Sequence, residues 1–147
     1  MSDFYDSDRY GARHVLVMAK VADGALGSAA SAQTEYNRKT MMMAVTIKDW
    51  NLEVLTGATC TGTGGVTTEV WTLKLGKSAA GTGSISNIGS ITVGTAGAAD
   101  NSIVDGTVTE TNLAAGDDLV WYTDAGTALG DNSLIARANV LYVERYT

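Results

Sequence analysis

The chain has 147 residues, 17 of them Gly and none Pro, with 18% charged residues and a net charge of −6. That length suits one domain around a single core, and the Gly, Thr, Ser and Ala load, with β-branched residues and Trp throughout, excludes a helical bundle and a disordered chain. The ten Lys and Arg are scattered through an acidic chain, so neither nucleic acid nor an anionic membrane is expected as a partner.

Residues 1–12 hold Phe4, Tyr5 and Tyr10 among several Asp. This segment is too short to make its own core; the expectation is an N-terminal arm whose aromatics dock on a neighbour, with a frayed terminus as the plainer alternative. Its acidic, aromatic start is unlike a secretion signal, and no apolar run approaches the roughly 18 residues of a membrane helix, so synthesis and folding in a cytoplasm are expected.

Residues 13–21 predict a strand, with Val15, Val17, Ala19 and Val21 on one face and His14, Leu16, Met18 and Lys20 on the other. Both faces are partly apolar, which predicts a position away from a bare sheet edge. Residues 22–38 form a long connection, with room for a turn or two of helix at 29–36. Residues 39–48 predict a second strand. Its consecutive Met41, Met42 and Met43 read as core filler, or alternatively as an exposed Met surface. Asp49 is expected to start a turn into a short strand carrying Trp50, Leu52 and Val54.

Residues 56–65 make a Gly- and Thr-rich loop. Its glycines resemble a phosphate-binding loop superficially, but the Lys-Ser/Thr ending and the following helix are missing. The loop holds Cys60, the only cysteine. It rules out an intrachain disulfide and has no nearby His to make it a nucleophile. Strands follow at 67–75, with Trp71, Leu73 and Leu75 inward, and at 84–93, with a bulge at Gly89. Residues 103–110 predict a short strand interrupted at Asp105-Gly106, and 112–116 a turn. The runs 116–123 and 134–146 are the most strand-like and aromatic stretches, and are expected to form a hairpin at the centre of the fold. In the first run Leu119 and Trp121 share a face, as do Val120 and Tyr122. One pair should enter the core and the other a covering loop or a neighbour.

Roughly eight strands without a long helix predict an all-β, single-domain antiparallel β-sandwich of jelly-roll type over residues 13–147. An immunoglobulin-like sandwich is the alternative, but it more often shows a Cys pair around a Trp.

No constellation points to catalysis, so an enzyme is not expected. His14 lies beside Arg13 with no acid next to it in the chain and reads as structural. Zinc needs Cys and His clusters. Asp100, Asp117, Asp118, Asp124 and Asp131 do not form a calcium-loop pattern, and strand alternation would point Asp117 and Asp118 apart. No metal or other cofactor is therefore expected. Trp50, Trp71 and Trp121 would suit either a sugar-stacking platform or a core. Surface contacts remain, and the candidate interface residues are Phe4, Tyr5, Tyr10, Tyr122, Tyr142, Arg145 and Tyr146.

The run Leu113-Ala114-Ala115-Gly116-Asp117-Asp118-Leu119-Val120-Trp121-Tyr122, a small-residue loop and a final strand at 136–144 resemble the last hairpin of small jelly-roll proteins of tailed bacteriophages. Trp71-Thr72-Leu73-Lys74-Leu75-Gly76-Lys77-Ser78-Ala79-Ala80-Gly81 resembles their mid-domain strand and turn. These relatives are capsid cement, or decoration, proteins. The resemblance covers roughly residues 40–146 and implies a structural virion protein on the capsid exterior. Its partners would be the major capsid protein and itself, as a homodimer or homotrimer. A receptor- or carbohydrate-binding head of a fibre or tail is the alternative.

Overall fold

Ten strands and no helix occur among residues 10–20, 33–56, 71–93, 99–124 and 135–145, the residues that the computed structural model describes. They are β1 (Tyr10–Ala19), β2 (Thr34–Thr40), β3 (Val45–Thr56), β4 (Trp71–Ser78), β5 (Ser86–Val93), β6 (Ile103–Asp105), β7 (Thr107–Val108), β8 (Thr111–Leu113), β9 (Asp118–Thr123) and β10 (Ile135–Arg145). One sheet has the order β1-β10-β3-β6, with β8 also on β3; the other runs β2-β9-β4-β5-β7. The first half of the chain pairs antiparallel with the second half in reverse order: β1 with β10, β2 with β9, β3 with β8 and β6, and β4 with β5. A long hairpin rolled up in this way leaves two packed sheets, which is the jelly-roll arrangement expected. The short β6 and β8 both pair with β3 in one sheet while β7 pairs with β5 in the other, so ten segments stand where roughly eight were expected.

The expected hairpin of 116–123 with 134–146 does not form. β9 pairs with β2 and β4 in one sheet, whereas β10 pairs with β1 and β3 in the other. Alternation and aromatic content mark a strand as buried but do not name its partner. The central hairpin is β4–β5.

Three bulges set which side chains reach the core. In β3, Leu141 is opposite Asp49 and Tyr142 opposite Ile47, so Lys48 is the extra residue. The expected turn at Asp49 is thus a bulge, and 45–56 is one strand. The slip lets Val45 and Ile47 share the buried face with Trp50, Leu52 and Val54, although Ile47 and Trp50 are three apart. In β5 the extra residue is Ile88, beside the Gly89 where a bulge was expected. In β2 it is Tyr36, since Glu35 faces Tyr122 and Asn37 faces Trp121. Of the proposed helix at 29–36, residues 34–36 are strand and 29–32 lie outside the described residues. The expected strand at 39–48 divides likewise: Thr40 ends β2, Val45 starts β3, and Met41–Ala44 form the corner between the sheets.

The Tyr36 and Trp121 rings meet at the centre of the core, 4.9 Å between centroids and tilted 51°. The Tyr36 hydroxyl is buried without a hydrogen-bond partner, and burial pushes its pKa up to about 12. A buried orphan hydroxyl costs roughly 1–3 kcal/mol. Tyr36→Phe is therefore expected to raise the unfolding free energy by about 1 kcal/mol, read as a higher urea midpoint at pH 7. The phenol's folded pKa lies above the unfolded value of about 10, so its contribution is complete below pH 10 and lost as pH rises through 12. The Phe variant should lack that alkaline loss. A midpoint below wild type at pH 7 would show that the hydroxyl has a partner.

Candidate functional site

Among the described residues, β1 has β10 as its one paired neighbour, so it forms an edge of its sheet. This corrects the expectation that a strand apolar on both faces sits away from an edge. Leu16 and Met18 turn inward, and Met18 is fully buried. Val15 and Val17 point outward and are 62% and 48% exposed. The second apolar face is surface, not core. Val15 lies alongside Leu141 and Val17 alongside Asn139 in the β1–β10 register. Val15, Leu141, Asp49 and Asn51 line a shallow depression of about 220 Å³ on this outer face.

Next to this apolar strip is an ordered polar ladder. Arg137 donates two hydrogen bonds to Glu53, at 2.7 and 2.8 Å, and Asn139 donates to Asn51 at 3.2 Å. The Arg137 and Asn139 bonds hold the Glu53 carboxyl down at about 2. The strip is thus framed by side chains already committed to one another.

The flank between β1 and the corner at 41–44 is also apolar. Met41 is buried, as core filler should be, but Met42 is 90% exposed and Met43 partly so. The corner is held by two backbone bonds of 2.8 Å: Met41 N–H donates to the Asp117 carbonyl, and Gly116 N–H donates to the Met41 carbonyl. Leu16, Met43 and Tyr142 are among the residues lining a hollow of about 240 Å³ beside it.

His14 does have an acid neighbour, supplied across the sheet. Its ring stacks on Tyr142, with centroids 5.2 Å apart, and its Nε2 lies 3.1 Å from Glu144 Oε1. The set clasps β1 to β10, which supports the structural role expected for His14. Chain adjacency could not show an acid that arrives from 130 positions away.

The two adjacent acids are committed to different local structures. Asp117 belongs to the turn before β9. Its carboxylate accepts the Ala114 N–H at 2.9 Å and the Ala80 N–H at 3.2 Å, and lies 3.2 Å from Lys77 Nζ. These bonds, Ala114 foremost, hold its pKa below the usual carboxylate range against the cost of burial. Asp118 accepts from the Thr40 hydroxyl and from Arg38, both at 2.7 Å, and is held low chiefly by Thr40. Arg38 also pairs with Glu35. Among the described residues no three His, Cys, Asp or Glu side chains gather in a way that could hold a metal ion.

The expected interface residues separate. Phe4, Tyr5 and Tyr146 lie outside the described residues, as do Cys60 and Asp131. Tyr10 opens β1 opposite Arg145, three residues inside the segment expected as an arm; its side chain is outside the description. Tyr142 is half-buried in the His14 clasp. Arg145 is half-buried and its N–H donates to the Ala44 carbonyl. Tyr122 is 2% exposed and offers no surface in this fold. A Cβ added at Gly76 would fall 2.8 Å from Tyr122 Cε1 and 2.4 Å from Ile85 Cγ2, so the ring lies against the glycine beside Ile85. Leu119 and Trp121 are the pair that joins the core cluster, while Val120 and Tyr122 are buried outside it. Val15, Val17 and Met42, exposed apolar residues on this side, were absent from the candidate set, which was drawn from aromatics and Arg145; the exposure of Met42 follows the alternative of an exposed Met surface.

Trp50 and Trp121 are core residues, so a sugar platform cannot stand on them; the Trp71 side chain lies outside the described residues. No protein-family model, curated protein or solved structure matches this chain.

Proposed function

We propose that this chain is a capsid cement, or decoration, protein of a tailed bacteriophage. It binds the outside of the shell and bridges major capsid subunits, after being made in the host cytoplasm. The observation that supports this reading most is the edge strand β1, which presents Val15 and Val17 to solvent on an antiparallel sandwich. A strand edge and a flat apolar strip offer a modest interface, and repetition over a lattice multiplies modest contacts. The net charge of −6 opposes unspecific clumping of coated particles.

Co-sedimentation with assembled, expanded shells tests it. The protein should pellet with shells at a saturating ratio. Deleting residues 1–9, which stops short of β1, should leave far-UV circular dichroism unchanged and weaken shell binding by at least about tenfold, as expected for loss of aromatic anchors. Full-length protein that stays in the supernatant at every shell concentration would overturn the reading.

A further inference from the structure

We propose that the β1 edge pairs antiparallel with the β1 edge of a second copy of this chain, about a two-fold axis at Leu16. This deepens the reading above by naming the surface for the second copy, and rests on it only for the expectation of an oligomer. Sheet edges are normally blunted by Lys, Pro or a cover, because their unpaired N–H and C=O groups template another strand. β1 runs for ten residues without Pro or Lys, and Val15-Leu16-Val17 occupies its middle. Its one irregularity is a bulge between Tyr10 and Arg13, before the valines.

The charge pattern permits a copy of itself in one register, and the valines specify it. Arg13 stands near one end of β1, and Lys20 follows the other end. With the axis at Leu16, Arg13 faces the partner's Ala19, whose carbonyl already accepts from Asn37 Nδ2, so the free edge is centred on Val15-Leu16-Val17; Lys20 falls beyond the paired core, and no cations oppose each other. Val15 faces the partner's Val17, and Val17 the partner's Val15. A shift of one residue to either side would set only one valine against its own mate and break the other pairing. Because Val15 also lies beside Leu141, the axis gathers four valines between two Leu141 side chains. β-branched side chains directly opposite one another are the favourable cross-strand pairing. The two β1-containing sheets become one continuous sheet, with the strip on a single outer face.

Sedimentation equilibrium, without shells, tests the proposal. Wild-type protein should show the mass of two chains. V15K/V17K sets like charges opposite each other at both valine pairs and should weaken dimerisation at least about tenfold, since directly opposed like charges destabilise a strand pair. V15K/V17E sets opposite charges across the same positions in this register and should restore the dimer. All three substitutions are at exposed positions, and unchanged circular dichroism confirms that each variant is folded. A monomeric or trimeric wild type, or a V15K/V17K variant as dimeric as wild type, would overturn the proposal. A V15K/V17E variant as monomeric as V15K/V17K would overturn the Leu16 register. A wild-type monomer that binds shells through β1 would refute self-pairing alone and leave the cement reading standing.

Discussion

Trp50→Ala is expected to lower the unfolding free energy by about 3–5 kcal/mol. Trp50 belongs to β3 in one sheet, and its indole closes the place where the chain crosses to the other. β6 pairs with β3, and two residues later β7 pairs with β5 in the opposite sheet. At the crossing, Gly106 N–H donates to the Trp50 carbonyl at 3.0 Å, and the indole Nε1–H donates to the Thr107 carbonyl at 2.9 Å. The ring lies so close that a Cβ on Gly106 would meet Trp50 Nε1 at 2.4 Å and Ile91 Cγ1 at 2.7 Å. Gly106→Ala should therefore cost about 1–3 kcal/mol by overpacking. Its cost should shrink in a Trp50→Phe background, which removes the indole nitrogen that clashes. Urea titrations of the two single variants and the double variant measure this coupling. Strictly additive costs would show that glycine and indole do not meet as described.

Asp117→Ala is expected to cost about 2 kcal/mol, because it strips the Ala114 and Ala80 N–H groups of their carboxylate acceptor and leaves Lys77 with the Asn112 carbonyl alone of the two groups it meets here. The side chain ties the turn before β9 to the turn after β4, and the positive φ of Gly116, 91°, shapes the first of these. The same contacts give the acid response. The folded pKa values of Asp117 and Asp118 lie below the ordinary carboxylate value of about 3.9. Their contribution is therefore complete above that value and is lost as pH falls below it through the folded values. Wild-type protein should show a urea midpoint that falls as pH drops below about 4. Asp117→Asn should begin lower at pH 7 and fall less steeply. Parallel curves would remove Asp117 from the acid response.

Much of the fold was legible. The Gly-rich, Pro-free composition and short alternating runs indicated an antiparallel sandwich, and Leu73, Leu75 and Ile91 are core residues as their alternation implies; of the two pairs in β9, which alternation left open, Leu119 and Trp121 took the core. The places of error share a cause. At Lys48 a bulge shifts the period of two, so a continuous strand reads as a strand, a turn and another strand; at Tyr36 a bulge breaks the period of β2, which read as a connection with a turn or two of helix. At β9 and β10, proximity in sequence favoured a hairpin, but the roll of the chain sends these neighbours to opposite sheets. The candidate surface was less legible than the core. Aromatic residues were taken as the mark of an interface, yet Tyr122 lies against Gly76 and is buried, while the exposed apolar groups include Val15, Val17, Met42 and Ile103.

The amino-acid sequence by itself determined the class of object: a small acidic all-β sandwich, with inward-facing residues at alternate positions of its strands between bulges. It could do so because composition and alternation are local, and a strand's buried face depends only on its own period. Tertiary structure alone decided which strands are neighbours, where the sheet edge falls, and whether an apolar face is core or surface. Those depend on contacts between residues far apart in the chain. His14 with Glu144, Trp50 with Thr107, and the outward valines of β1 all follow from how the long hairpin rolls up.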